Sequence, residues 1–127
     1  MKPISPTAHG IIDYLTCGFF LTAPSLFNLT GTPAGVCYAL AGGYLVISLL
    51  TNMPMGLLKW IPFWLHGRFE LVSGLVFIAS PWIFNYADSA TLRNLFIAVG
   101  IVFLLVYALT QWRTDERTAP IAGMQKI

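Results

Sequence analysis

The fold is decided by a stretch that occurs twice, as HGIIDYLTCGFFLTAPSLFN at residues 9–28 and as HGRFELVSGLVFIASPWIFN at residues 66–85. Aligned without a gap, six of the twenty positions are identical, which is more than composition alone explains. Each copy starts with His-Gly, carries an acidic residue four positions after the histidine, and ends with Phe-Asn. This repetition predicts two copies of one structural unit.

Composition predicts where those units reside. Hydrophobic residues make up 57% of the 127-residue chain and charged residues 9%, against about 25% charged in an average soluble domain. The apolar residues fall in four blocks, each near the length of about 20 residues that crosses a bilayer as a helix. We therefore expect an all-α membrane protein with four transmembrane helices. The blocks cover approximately Ala8–Phe27, Pro33–Leu50, Gly67–Phe84 and Leu92–Trp112.

Each copy contains two helices, so both copies should enter the membrane from the same side. The sequence thus predicts a single membrane domain of two parallel two-helix repeats, with a pseudo-two-fold axis along the membrane normal. Repeat one covers about residues 6–53, repeat two about residues 63–112, and residues 113–127 form a tail.

The positive charges predict the orientation. Only Arg93 lies on the side of the short helix connections. The positive-inside rule therefore places both termini, the central loop and the tail in the cytoplasm, with the protein in a bacterial inner membrane. The remaining cations lie on that cytoplasmic side: Lys2, Lys59, Arg68, Arg113, Arg117 and Lys126.

Local signals predict where the helices end and bend. Thr32 before a proline is expected to cap the second helix, and Asp88 or Ser89 the fourth. Asn28 and Asn85 follow the first and third helices, where a left-handed residue is useful.

A proline lies one turn before each of those two ends, Pro24 in the first helix and Pro81 in the third. Each proline removes a backbone hydrogen bond, which predicts a kink. In the second copy the motif is Ala79-Ser80-Pro81-Trp82, and in the first it is Thr22-Ala23-Pro24-Ser25.

With the duplicated His-Gly starts, these motifs resemble the SPW repeat family of small prokaryotic integral membrane proteins. The resemblance covers about Ala8 to Thr110. The Ser-Pro-Trp triplet, whose members are Ser80, Pro81 and Trp82, is intact only in the second copy. The resemblance implies a membrane location and this four-helix layout, and it implies no activity, substrate or cofactor.

The ionisable residues inside the apolar blocks form the candidate site. His9 and Asp13 are four residues apart, as are His66 and Glu70, so each pair lies on one helical face. A carboxylate within a membrane is costly unless it is paired, protonated or hydrated. Arg68, which lies close to the second pair in sequence, is a further candidate member.

Three interpretations of this site are open. In the first, each carboxylate accepts a hydrogen bond from its own histidine or from Arg68 and is purely structural. In the second, the groups converge and hold a divalent metal or a haem through His9 and His66. In the third, Asp13 and Glu70 exchange protons while a cation or small molecule crosses.

Small residues and cysteines complete the set of notable positions. Gly35, Ala39 and Gly43 recur every four residues in the second helix, which favours close helix packing, either within the bundle or in a dimer. Cys17 and Cys37 should differ too much in depth for a disulfide and are expected to be buried free thiols.

The sequence contains no glycine-rich phosphate loop, no nucleophile elbow and no basic stripe for nucleic acid. It therefore favours a non-enzymatic inner-membrane protein of unknown activity, acting as a structural or accessory subunit of a homo-oligomer or a larger membrane complex. The alternatives are a small proton- or cation-coupled transporter using Asp13 and Glu70, and a metal- or haem-binding protein using His9 and His66. No cofactor is predicted, and the expected partners are the lipid bilayer and other membrane subunits.

Overall fold

The computed structural model of the chain describes residues 2–112, which form four α-helices. The predicted all-helical architecture is confirmed, with bounds within a few residues of the predicted apolar blocks. The predicted tail at residues 113–127 lies outside the described residues. The helices are α1 (Pro6–Leu26), α2 (Gly31–Leu50), α3 (Phe63–Ile83) and α4 (Ala90–Leu109).

The helix ends follow mostly from local chemistry. The Ser89 hydroxyl accepts a hydrogen bond from the backbone N–H of Leu92 at 3.3 Å, which confirms Ser89 as a cap of α4. Asn28 and Asn85 have φ values of 55° and 61°, the left-handed conformation expected after α1 and α3. The predicted cap of α2 is wrong.

That cap is misplaced by two residues, because α2 begins at Gly31 and its N-cap is Thr30 rather than Thr32. Gly31 has a φ of 63°, a conformation that glycine adopts without steric cost. This glycine lets the helix start immediately after the turn. Pro24 and Pro81 lie inside α1 and α3 as expected, while the kinks stay predictions.

The helices form two hairpins, in which α1 packs along α2 and α3 packs along α4. In the second hairpin the backbones come very close: a Cβ added at Gly100 would lie 2.6 Å from the carbonyl oxygen of Gly74. Contacts between the hairpins are sparser, and aromatic rings provide many of them. The ring centroids of Phe20 and Phe77 are 5.8 Å apart, and those of Phe20 and Phe103 are 6.5 Å apart.

Two short backbone pairings join the hairpins at one end. Ile4, just before α1, exchanges hydrogen bonds with the end of α4, through the carbonyl of Leu109 at 3.1 Å and the N–H of Gln111 at 2.9 Å. Ile61, just before α3, does the same with the end of α2, at 2.8 and 2.7 Å. The starts of α1 and α3 therefore lie at the same end of the bundle as the ends of α2 and α4.

By length and composition, two of the four described helices, α2 and α4, could cross a membrane. The sequence predicted four such helices. The polar side chains of His9 and Asp13 in α1, and of His66 and Glu70 in α3, lower the mean hydropathy of those two helices.

The small residues of α2 do not pack inside the bundle. Gly35, Ala39 and Gly43 are all exposed, and a Cβ added at Gly35 or Gly43 would meet no atom of the described chain within 4 Å. The predicted packing within the bundle is therefore wrong, because the stripe lies on the outward face of α2. A contact with a second copy stays a prediction. Cys17 and Cys37 are buried free thiols, as expected.

Candidate functional site

Four ionisable side chains from α1 and α3 converge inside the bundle. Histidine and carboxylate are one helical turn apart on each helix, so both point from the same face. His9 is 0% exposed, Asp13 and His66 are 1% exposed, and Glu70 is 3% exposed. One nitrogen or oxygen from each side chain can be chosen such that all four atoms lie within 4.8 Å of one another.

Asp13 is the central residue of this cluster. Its Oδ1 lies 3.3 Å from Nε2 of His9, and its Oδ2 lies 3.1 Å from Nε2 of His66. The hydroxyl of Ser48, on α2, also lies 3.5 Å from Oδ2. A single carboxylate thus contacts both imidazoles, one from each hairpin.

Glu70 occupies a different environment. Its Oε2 lies 3.5 Å from Nε2 of His9 and accepts a hydrogen bond of 3.0 Å from the hydroxyl of Tyr44. Its ion-pair contact is therefore with the histidine of the other hairpin rather than with His66. Of the two carboxylates, Asp13 alone lies within ion-pair distance of the histidine on its own helix, and the predicted hydrogen bond from that histidine stays a prediction.

Arg68 is not part of the cluster, which corrects the sequence prediction. It is exposed, and its guanidinium carbon lies 5.8 Å from the ring centroid of Trp64. Arg68 takes part in none of the ion pairs found among residues 2–112. The reason is helical geometry: a residue two positions before Glu70 lies on the opposite side of α3.

The threonine that follows α2 fixes one imidazole. Thr51 is fully buried, and its hydroxyl donates a hydrogen bond of 2.6 Å to the carbonyl of Ile47. The same oxygen lies 2.9 Å from Nδ1 of His66. A hydroxyl has one hydrogen to give, so the oxygen of Thr51 must accept from Nδ1–H. The other ring nitrogen, Nε2, is then the one that lies beside Asp13.

The same arrangement occurs at the end of α4. The hydroxyl of Thr110 donates to the carbonyl of Val106 at 2.6 Å and lies 2.9 Å from Nδ1 of His9. In both cases the threonine belongs to one hairpin and the histidine to the other. Each hairpin therefore orients the imidazole that its neighbour contributes.

Apolar side chains close this end of the bundle over the imidazoles. The ring centroid of Trp112 is 4.7 Å from that of His9, and that of Phe63 is 5.5 Å from it. Gly67 makes room for this cover, since a Cβ there would lie 2.9 Å from the ring of Trp112. Gly10 does the same beneath Met55, at 2.7 Å. The cover excludes water, which strengthens electrostatic interactions in the cluster.

Three buried polar atoms of the cluster form no hydrogen bond: Nε2 of His9, Nε2 of His66 and Oε1 of Glu70. Most buried polar atoms in proteins are hydrogen-bonded. With Nδ1 donating to a threonine, a neutral imidazole presents a bare Nε2 lone pair, and at these positions it faces carboxylate oxygens. Such an arrangement of acceptors is stable only with a cation or protons between them.

The spacing fits a small metal ion. Ligands of a tetrahedral ion at 2.0–2.2 Å are about 3.4 Å apart, and the closest contacts between imidazole and carboxylate are 3.1, 3.3 and 3.5 Å. Two imidazoles and two carboxylates are also a common donor set for divalent ions. These contacts of 3.1–3.5 Å between imidazole nitrogens and carboxylate oxygens leave no room for the porphyrin ring of a haem between them.

The sequence predicted the four central residues and missed the threonines, Tyr44 and Trp112. The repeat alignment used an offset of 57 residues, which relates α1 to α3. The connection at residues 84–89 is two residues longer than that at residues 27–30, so α2 and α4 are related by 59 residues. That second offset aligns Thr51 with Thr110 and is the signal that could have found them.

Comparisons of the chain with models of known protein families, with curated proteins and with solved structures found no match. The resemblance to the SPW repeat family stays a prediction from the sequence motifs. The geometry of the buried cluster is therefore the basis for a functional proposal.

Proposed function

We propose that this chain is a small, non-enzymatic integral membrane protein that binds one divalent metal ion through His9, Asp13, His66 and Glu70. The observation that carries this proposal is the convergence of four metal-ligating atoms within 4.8 Å at a site almost without solvent exposure. Two buried carboxylates are costly unless they are neutralised. A divalent ion balances both negative charges and leaves the imidazoles neutral.

The surface supports placement in a bilayer. The helices are 20 or 21 residues long, about 30 Å at 1.5 Å per residue, which matches a bilayer core. We propose four spans, since the polar groups of α1 and α3 point into the bundle and their outer faces are apolar. Exposed apolar side chains on all four helices include Leu15, Leu21, Val46, Val72, Trp82, Val102 and Leu105.

The contacts at the covered end support the parallel arrangement of two repeats. Ile4 and Ile61 make equivalent backbone pairings before α1 and α3, and Thr51 and Thr110 make equivalent hydrogen bonds after α2 and α4. We propose a pseudo-two-fold axis along the membrane normal, as in the SPW repeat layout. The positive-inside rule then places the cluster near the cytoplasmic face of the inner membrane.

In this proposal the ion has a structural role in an accessory subunit. Asp13 on α1 contacts His66 on α3, so a bound ion would join the two hairpins, whose helices pack less closely on each other than those within each hairpin. Gly35, Ala39 and Gly43 form an outward strip of small residues, which suits close contact with another transmembrane helix in a homo-oligomer or a larger complex.

Metal content of the purified protein tests this function. We expect one ion per chain in detergent-solubilised wild type and in the control Asp88→Asn, which changes an exposed carboxylate outside the cluster. His9→Ala combined with His66→Ala should abolish binding. Retained helical circular dichroism would show that the double variant still folds. Wild-type protein that takes up no stoichiometric ion after incubation with Zn²⁺, Mn²⁺ or Co²⁺ would refute the proposal.

A second candidate is cation transport coupled to protons through Asp13 and Glu70. The buried Oε1 of Glu70 has no hydrogen-bond partner, which favours a role for this carboxylate in binding a moving cation or proton. Liposomes containing the protein would then show metal-dependent proton flux. Asp13→Asn with Glu70→Gln should abolish that flux, whereas Asp88→Asn should not. Wild-type liposomes as tight as empty ones would exclude transport and leave metal binding intact.

A further inference from the structure

We infer that Thr51 and Thr110 are positioning residues that determine which metal the site binds. They hold both imidazoles in the Nδ1–H form. The site therefore favours transition ions that prefer nitrogen ligands, such as Zn²⁺, over Mg²⁺ and Ca²⁺. This inference rests on the metal-binding function proposed above and names its ligand class.

The single hydroxyl hydrogen of each threonine sets the direction of its hydrogen bonds. Each threonine gives its one hydroxyl hydrogen to a carbonyl four residues earlier in its own helix, at 2.6 Å. This leaves the hydroxyl oxygen as an acceptor for an imidazole N–H at 2.9 Å. A metal-ligating histidine usually donates its second ring N–H to such a partner, which fixes both the tautomer and the ring orientation.

The threonines also determine which ligand atoms remain available at the centre of the cluster. With Nδ1 of His9 and His66 occupied, each ring can coordinate only through Nε2. The site then offers two nitrogens and the oxygens of two carboxylates, one of which already accepts a hydrogen bond from Tyr44. Ca²⁺ requires about 6–8 oxygen ligands, and Mg²⁺ about six in octahedral geometry, often with several waters. A dry site with two imidazoles suits neither ion.

The threonines and histidines are arranged crosswise between the hairpins. Thr51 directly follows α2 and holds an imidazole on α3, whereas Thr110 directly follows α4 and holds an imidazole on α1. Backbone pairings at Ile61 and Ile4 tie each threonine to the segment that enters the histidine's helix. Both ligands are therefore oriented only when the hairpins are docked, so the specificity of the site depends on assembly of the whole bundle.

The test uses the full chain with Thr51→Val and Thr110→Val, alone and combined, because valine keeps the shape of threonine and removes its hydroxyl. The matched controls are Thr51→Ser and Thr110→Ser, which retain the hydroxyl. We expect each valine to weaken Zn²⁺ binding by about tenfold, the lower end of the effect of an outer-shell partner. The preference for Zn²⁺ over Mg²⁺, measured by chelator competition, should fall with it, and the serine variants should retain most of both.

Imidazole ¹⁵N spectra give a readout that packing alone would not change. In the Zn²⁺-loaded wild type and the serine variants, both histidines should show a protonated Nδ1 and a coordinated Nε2. In the valine variants, the corresponding ring should show a mixture of tautomers.

The possible failures are distinguishable. Wild type that binds none of Zn²⁺, Mn²⁺ and Co²⁺ refutes the proposed function and this inference together, whereas wild type that binds Mn²⁺ in preference to Zn²⁺ refutes the inference alone. Wild type that binds Zn²⁺, with valine variants unchanged in affinity, preference and tautomer, refutes the inference alone. Should the valine variants fail to fold, the wild-type spectrum decides, because coordination through Nδ1 in either histidine would overturn the assignment.

Discussion

The two hairpins place the same polar groups at the same positions and differ in the residues around them. Each first helix contributes a histidine and a carboxylate to the cluster, and each second helix is followed by a buried threonine that holds the other hairpin's imidazole. The apolar surroundings are not matched. The polar groups of both hairpins have to reach one common cluster, which fixes their positions. Apolar side chains only have to fill the core, and many combinations of residues with the same total volume do so.

The helix–helix contact shows this freedom. The twelfth residue of α1 is Cys17 and that of α3 is Gly74, while the eleventh residue of α2 is Ala41 and that of α4 is Gly100. Two glycines let α3 and α4 approach backbone to backbone, whereas the first hairpin fills the same positions with side chains of its core. The second hairpin is thus the one that a single added methyl group should disturb.

The carboxylates provide the sharpest contrast. Asp13 contacts both imidazoles, whereas Glu70 contacts one and accepts a hydrogen bond from Tyr44. Removing one partner of a buried ion pair costs about 3–5 kcal/mol, and each 1.4 kcal/mol is about tenfold in affinity. Asp13→Asn should therefore lower metal affinity by at least about 100-fold, the largest effect that we expect of a single substitution.

Glu70→Gln should lose less, about tenfold or about 1.4 kcal/mol, because Glu70 contacts one imidazole only and the amide oxygen of glutamine can still accept from Tyr44. Isothermal titration with Zn²⁺ in detergent measures both losses, with Asp88→Asn as the control. Equal losses for the two variants would show that the carboxylates are equivalent in solution, against the asymmetry of the structure.

The next largest effect concerns the close contact of α3 with α4. In Gly100→Ala the new Cβ would lie 2.6 Å from both the carbonyl oxygen of Gly74 and Cγ1 of Ile78, so the helices must separate. Overpacking of this kind costs about 1–3 kcal/mol. The free energy of unfolding, measured by denaturant titration in mixed micelles, should fall by that amount.

Gly18→Ala is the matched control, since a Cβ there meets no described atom within 4 Å. It should be neutral or stabilising by up to about 1 kcal/mol, because alanine favours a helix over glycine. If Gly100→Ala behaved like this control, α3 and α4 would be further apart than the structure places them.

The helices and the four central residues of the site could be predicted from the sequence for physical reasons. Apolar blocks of spanning length can only be long helices, and an ionisable pair at four-residue spacing has to share a face. Asn28 and Asn85 were predictable because few residues other than glycine and asparagine tolerate a positive φ. Each of these signals lies within a short segment of the sequence, so it can be recognised without knowing which distant residues that segment contacts.

The remaining parts depend on contacts between distant segments. Small residues at four-residue spacing do not reveal whether they face the partner helix or the outside, which left both interpretations of Gly35 and Gly43 open. Thr51 contacts a residue fifteen positions away and Thr110 one 101 positions away. The sequence around a single tyrosine in an apolar helix, such as Tyr44, also does not indicate which carboxylate its hydroxyl contacts across the bundle.

The substitution Tyr44→Phe should have the smallest effect on metal binding. It also tests the difference between the two hairpins directly, because the second hairpin has Phe103 at the same position of its second helix. Tyr44→Phe makes the hairpins alike there and keeps the ring contact with Phe103, whose centroid is 5.4 Å away. It removes the hydrogen bond of 3.0 Å to Glu70. The loss of one such bond is about 1 kcal/mol, so Zn²⁺ affinity should fall by roughly fivefold.

The exposed Tyr38 gives the control Tyr38→Phe, which should leave affinity unchanged. The combination of Tyr44→Phe with Glu70→Ala decides between two roles for the hydroxyl. If Tyr44 acts by orienting Glu70, the double variant should bind Zn²⁺ as well as Glu70→Ala alone, because the group that Tyr44 orients is absent from both. If the losses of Zn²⁺ binding free energy in the two single variants add up fully in the double variant, the Tyr44 hydroxyl contributes independently of Glu70. The difference between the hairpins would then arise from Tyr44 and not from the position of Glu70.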